Sequence, residues 1–429
     1  MNLVFFVIVL ISFITACWHQ FAWIPAHDST PPMAILSKAI IESASSSVEL
    51  AIGLIGVMAL FLGLMKIAEE GGLLNILASL IRPLMIRLFP DLPENHPAMG
   101  SMILNMAANI MGLGNAATPF GIKAMQELDE LNPCPGTATD SMALFLAINT
   151  SSVTILPTGV IALRAAAGSS NPAGILPTTL FATICSTVVA ILTAKLLAKF
   201  FSKNKGTAKK GKQKPIQYDN TAKNGYPEPI SFPAWINIIA ICCLFALIPL
   251  AIIFGKTISP WVIPCLVLFF LIFGVLKGVR IYEVFVEGAK EGFQVAVKII
   301  PFLVAILMAV NMFRASGAMD IMVKTLGPYT QKFGLPAEAL PMALLRPLSG
   351  SGAYGILASI INNPAIGPDS YTGYLVSTLQ GSTETTFYVI AVYFGAIQVK
   401  RIRHTLIAAL TADAAGIAAA VAICSLLYG

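Results

Sequence analysis

VSTLQGSTETTFYVIAVYFGAI, Val376 to Ile397, and AINTSSVTILPTGVIALR, Ala147 to Arg164, decide how this chain folds. With Gln380 set over Asn149, Ser382 falls on Ser151, Thr383 on Ser152 and Thr385 on Thr154, and both runs then turn apolar. Each predicts a polar, helix-breaking start that feeds a helix. Hydroxyls and amides at bilayer depth need protein partners, because no water satisfies them there. Two such interrupted segments, in corresponding places of two halves, point to a substrate site between them.

Composition places these segments in lipid. Of 429 residues, 56% are hydrophobic and 11% charged, with a mean hydropathy of +0.80. A soluble protein carries roughly 25% charged residues. The net charge of +6 is no nucleic-acid footprint, since much of it lies in one lysine run, from Lys195 to Lys214, that membrane topology explains better. The seven cysteines have no CxxC or Cys/His spacing and read as apolar filling. No cofactor is expected. The expected partners are membrane lipids and a small-molecule or ion substrate, not nucleic acid, and homo-oligomerisation stays open.

Leu3 to Ala22 is long enough to span a bilayer core, which takes roughly 20 residues. Ile14-Thr15-Ala16-Cys17 has the form of a lipobox, but no Lys or Arg precedes it, so the run is taken as a first transmembrane helix. Met33 to Ser47 is weakly amphipathic and Val48 to Met65 is a second span. Leu73 to Phe89, with Pro83, Arg82 and Arg87, suits a re-entrant or interfacial segment. Ala98 to Ile122 is the most irregular intramembrane stretch, with Asn105, Asn109, Asn115, Pro119 and clustered glycines. Ile175 to Phe200 is a clear span. The polar stretch that follows reads as a linker, and Trp235 to Phe254 and Trp261 to Leu276 read as two further spans.

An internal repeat follows at an offset of about 245. Glu42 meets Glu287, Ala51 meets Ala296, Gly72 meets Gly317, Asn75 meets Asp320 and Pro83 meets Pro328. The break at Gly112 to Asn115 corresponds to LRPLSGSGAYG, Leu345 to Gly355, and a closing helix, Thr405 to Tyr428, corresponds to Ile175 to Phe200. The lysine run follows the first closing helix, whereas Lys400, Arg401 and Arg403 precede the second. With basic residues cytoplasmic, the two copies are inverted. The expected fold is an all-α polytopic membrane protein of two inverted-topology repeats with broken or re-entrant helices. The halves are 1–201 and 233–429, joined by a basic cytoplasmic linker at 202–232, in a bacterial cytoplasmic (inner) membrane.

The substrate-binding candidates are Asn109, Asn115, Asn149, Ser151, Ser152, Thr154, Arg346, Ser349, Ser351, Gln380, Ser382, Thr383, Glu384 and Thr385. Glu384 sits among hydroxyls inside a span, where a charge costs at least a few kcal/mol. It could bind a cation or a proton, or pair with Arg346 or Arg314. Arg346, before Pro347 and SGSG, could hold an anionic group beside free backbone donors. Asp413, inside the last span, joins Glu384 as an ion-coupling candidate. Glu69, Glu70 and Asp320 read equally as solvated positions. Asp140 reads as a helix N-cap. No metal site is expected.

The residues also carry a family resemblance. LGLMKIAEEGGLL (Leu62 to Leu74), HPAMGSMILNMAANIMGLGNAATPFGIKAMQ and FLAINTSSVTILPTGVIALRAAAGSSNP resemble spore maturation protein A. EGAKEGFQVAVKIIPFLVAIL, FRASGAMD, RPLSGSGA and STLQGSTETTFYVIAVYFGA resemble spore maturation protein B. The chain thus resembles a fusion of the two, outside the linker. The resemblance implies a "nucleoside recognition" or gate fold, similar to the membrane parts of concentrative nucleoside and ferrous-iron transporters, and names no substrate. The function expected is ion-coupled secondary transport of a small polar or anionic metabolite. The alternatives are an ion channel or metal-ion permease, or a non-transporting envelope scaffold. With no Walker motif, GxSxG or HExxH, an enzyme is not expected.

Overall fold

The computed structural model describes residues 2–24, 30–94, 96–112, 114–202, 261 and 263–429. The expected span at 235–254 and the linker after Ser202 lie outside the described residues. Among the described residues there are helices and no strand, save one isolated bridge between Thr137 and Arg401. The chain is an all-α membrane protein. Among the described residues, four helices are long and apolar enough to cross a membrane: α1 (Asn2–Ala22), α2 (Pro32–Glu70), α8 (Leu176–Ser202) with its preceding turn, and the final helix, Thr405–Tyr428.

Two helix series match element by element. The first is α2, α3 (Leu73–Leu88), α4 (Pro97–Ile110), α5 (Gly114–Glu130), α6 (Asp140–Thr150), α7 (Thr158–Ala166) and α8. After α9 (Ile263–Leu276) comes the second. It runs α10 (Ile281–Ala315), α11 (Ala318–Thr330), α12 (Leu340–Leu345), α13 (Gly350–Ile361), α14 (Tyr371–Ser382), α15 (Thr386–Ala396) and α16 (Thr405–Tyr428). The correspondence reaches single residues. Gly72 before α3 and Gly317 before α11 both take the left-handed conformation, φ 80° and 82°. Glycine holds it without the Cβ penalty.

Equivalent helices pack antiparallel, as inverted copies must. On α2 and α10, Asn311 donates to Ser43 Oγ at 2.8 Å. Farther along α2, a methyl group at Gly288 would lie 2.6 Å from the Leu62 carbonyl oxygen. Small residues there bring the two backbones together, which is how helices associate in lipid without a hydrophobic drive. On α8 and α16, Ser186 donates to the Ala412 carbonyl at 2.8 Å and Tyr428 to the Gly174 carbonyl at 2.7 Å.

Two expectations about elements change. Met33 to Ser47 and Val48 to Met65 form one helix, α2, because no glycine-proline break separates them. Asp140 is not the N-cap of α6. Thr139 is, accepting from Met142 N at 3.1 Å, and Asp140 is the first helical residue.

Two apolar cores are stacked along the molecule. One gathers α3, α4, α5 and α6 of the first half but also Val389, Tyr393 and Phe394 of α15. The other gathers α12, α13 and α14 of the second half but also Val160, Ile161 and Leu163 of α7. Each half therefore sends its second broken helix into the other half's core. Tyr393 lies so close against Gly121 of α5 that a methyl there would meet its hydroxyl at 2.3 Å, and Tyr354 of α13 lies likewise against Gly159 of α7.

Candidate functional site

The chain passes from one core to the other in non-helical backbone, at 151–157 between α6 and α7 and at 383–385 between α14 and α15. Pro157 and the hydroxyl run end the first helix. Thr383, at φ −143° and ψ 160°, ends the second. Each crossing segment is paired with the other broken helix of its own half. Ile155 N donates to Ile110 O at 2.9 Å, beside the break between α4 and α5. Phe387 N donates to Pro347 O at 3.1 Å, at the break between α12 and α13. The two crossings also meet: Glu384 N donates to Thr150 O at 2.8 Å.

Protein donors meet several of the carbonyls freed by unwinding, as buried backbone requires. Arg346 is buried and splays over the second break. Its Nε donates to Gln380 O at 3.0 Å, Nη1 to Thr385 Oγ1 at 3.0 Å and Nη2 to Thr383 O. Three of its five N–H donors thus hold the break. On the first break Thr187 of α8 donates to Ser151 O, and Thr154 donates to Ser152 O at 3.3 Å.

The remaining candidates sort around this crossing. Asn109 donates to Asn149 Oδ1 at 3.0 Å, and Asn149 donates to Phe145 O. Ser151 and Ser382 hydroxyls bond back to Ala147 O and Leu379 O. Ser349 caps α13, accepting from Gly352 N at 3.0 Å. Ser351 is half-buried on α13. Asn115 lies in α5, and its side chain is outside the described residues. Ser152 is buried, and its Oγ has no partner among the described residues. Glu384 keeps 43% of its side chain accessible, 3.8 Å from Arg346 Nη2. Asp413, buried in α16, accepts from Thr386 Oγ1 at 2.7 Å through Oδ2, while Oδ1 has no partner among the described residues. Thr386 is the first residue of α15, so the acid sits at the foot of the second crossing.

Sequence reasoning passed over Thr187, Ser186 and Thr386. The signal was present: Thr178, Thr179, Thr183, Ser186 and Thr187 crowd one apolar span and are all buried. It also passed over Arg164, which is wholly buried at the end of α7.

The family model described as Gate, nucleoside recognition, matches residues 51–167 and 296–400, just over half of the chain and both crossings. The chain belongs to the nucleoside recognition (Gate) family. This Gate protein is 46% identical over 167 residues to spore maturation protein B of Bacillus subtilis, covering 39% of the chain and 93% of that protein. To spore maturation protein A of the same organism it is 46% identical over 157 residues, covering 37% of the chain and 80% of that protein. Among solved structures, the YdaH transporter of Alcanivorax borkumensis aligns with 98% of the Gate chain and 97% of its own, at a TM-score of 0.44 and 14% identity.

Proposed function

We propose that this Gate protein is an ion-coupled secondary transporter of a small polar metabolite in the bacterial cytoplasmic membrane, holding its substrate where the two crossings meet. The bond from Glu384 N to Thr150 O carries this reading, because it brings two interrupted segments from inverted halves to one buried place between two cores. Glu384, accessible and carboxylate-bearing, supplies the contact to a substrate donor or coupling cation. Ser152 offers a hydroxyl with spare hydrogen-bonding capacity, and Asp413 offers a second coupling carboxylate. Arg346 holds the shape of the site through three of its N–H donors.

The test is uptake by purified protein in proteoliposomes across a metabolite panel, with and without proton and sodium gradients. Accumulation against a gradient is expected, lost in Glu384→Gln while folding is kept. Folded protein that takes up nothing from the panel under any gradient overturns transport. Downhill flux without accumulation overturns the carrier in favour of a channel.

A further inference from the structure

Two ion-pair clusters tie the halves together, one at each end of α16, and they are exchanged by the inversion. At the Tyr428 end, Arg164 closes α7 of the first half onto the loop before α14 of the second. Its Nη1 donates to Pro368 O at 2.6 Å and its Nη2 lies 3.0 Å from Asp369 Oδ1. Asp369 also accepts from Ser169 Oγ at 2.5 Å, and from Ser170 N at 2.7 Å and Ser170 Oγ at 2.8 Å. The guanidinium stacks 4.2 Å above Tyr374, whose ring lies on Tyr428.

At the His404 end the roles reverse. Arg403, after α15 of the second half, pairs with Asp140 of the first at 2.7 Å and donates to Ala138 O at 3.1 Å. Ala138 N donates to Arg401 O at 2.9 Å, and Lys400 N and Arg401 N donate to Gly136 O. The two clusters are separated by the length of α16, 24 residues or about 36 Å. In each, an arginine in the last turn of, or after, the helix lodged in the foreign core grips an aspartate at or just before the start of that core's own broken helix. The His404-end strap is also wound tight: Gln398 and Arg403 take φ 54° and 51°, a conformation that non-glycine residues seldom hold unless their surroundings impose it.

We infer that Arg164–Asp369 and Arg403–Asp140 are the two gates of the central site, one per membrane face, released in turn. This rests on the transporter reading. Freeing Arg164 lets the outer end of α7 leave the second core and opens the crossing to the Tyr428 face. Freeing Arg403 does the same for α15 on the other face. Both ion pairs are formed in this structure.

The test uses Ser152→Cys as a reporter in full-length protein whose native cysteines are replaced. Sealed vesicles are labelled with a membrane-impermeant maleimide from either face, and the adduct at position 152 is read by mass. Asp369→Asn is expected to raise labelling from the Tyr428 face alone, and Asp140→Asn from the His404 face alone, by about tenfold or more, the scale of one lost charge-assisted bond. Folded variants that label like the parent, or that open both faces at once, overturn the gates. Should Asp140→Asn fail to fold, Arg403→Gln removes the same ion pair from its other side and carries the same expectation for the His404 face; should Asp369→Asn fail, Ser170→Cys with Asp369→Cys decides. Oxidising that pair is expected to abolish labelling from the Tyr428 face until reductant is added, and unchanged labelling overturns the gate. No substrate is needed, so gating that passes while uptake fails removes the transport reading alone, and the converse removes the gates alone.

Discussion

At the scale of residues, Arg346 is the clearest case of charge used for shape. Three of its nitrogens meet three oxygens of one break, a fork geometry that a lysine ammonium cannot reproduce. Arg346→Lys should therefore destabilise almost as much as Arg346→Ala, by about 2–4 kcal/mol, since buried carbonyls left unpaired cost roughly 1–3 kcal/mol each. Thermal unfolding in detergent measures it, and a lysine variant that melts with the parent contradicts it. Asp369 gives a pH prediction. Burial opposes its charged form, but hydrogen bonds from Ser169 and Ser170 and the Arg164 charge outweigh it and hold the carboxyl below the usual range. A depressed acid contributes stability that is complete above its unfolded value, about 3.9, and is lost as pH falls through the lower folded one. Melting temperatures of the parent should fall on acidification below pH about 4, and Asp369→Asn should flatten that part of the drop. Parallel curves for the two proteins would remove the claim.

At the scale of elements, the breaks were legible and their partners were not. Hydroxyl and amide runs that interrupt apolar stretches announce unwinding, and α16 has the bounds read from hydropathy, Thr405 to Tyr428. The grip of Arg164 on Asp369, 205 positions away, is not readable in that way: periodicity tells which face of a helix is apolar but not which helix covers it. Thr187 escaped notice for a related reason, because a hydroxyl inside a span usually bonds its own preceding turn. One glycine tests the crossing itself. Gly112 has φ 77°, and a methyl there would lie 2.2 Å from the Leu156 carbonyl oxygen of the crossing strand. Neither backbone can retreat without breaking the Ile155–Ile110 bond. Gly112→Ala should cost more than the roughly 1–2 kcal/mol of a left-handed alanine alone, whereas Gly100→Ala, which meets nothing within 4 Å, should be near neutral. Equal melting temperatures for the two variants would show that the breaks do not pack as described.

At the scale of the whole molecule, the inversion is anchored by charge. Lys400, Arg401 and Arg403 gather at the His404 end of α16, and Lys195 and Lys199 near the C-terminal end of the antiparallel α8 lie toward the same side. The positive-inside rule predicts that this face is cytoplasmic. Cys134 is exposed in the loop beside it, so an impermeant thiol reagent should modify Cys134 in inverted vesicles and spare it in intact cells. Modification in intact cells would turn the molecule over. The repeat was legible as an ordered series of matches, down to Gly72 and Gly317, because both start a helix from a left-handed residue. That each copy completes the other's core was not, since an apolar helix carries no address.

That mutual completion has a biosynthetic corollary. Phe145 of the first half stacks on Tyr393 of the second at 6.3 Å, so a half made alone would present a vacant berth to lipid or to proteases. Joining both halves in one polypeptide guarantees equal dosage and delivers each guest helix to its host as synthesis ends. Wherever the two are encoded as separate chains, neither should accumulate without its counterpart.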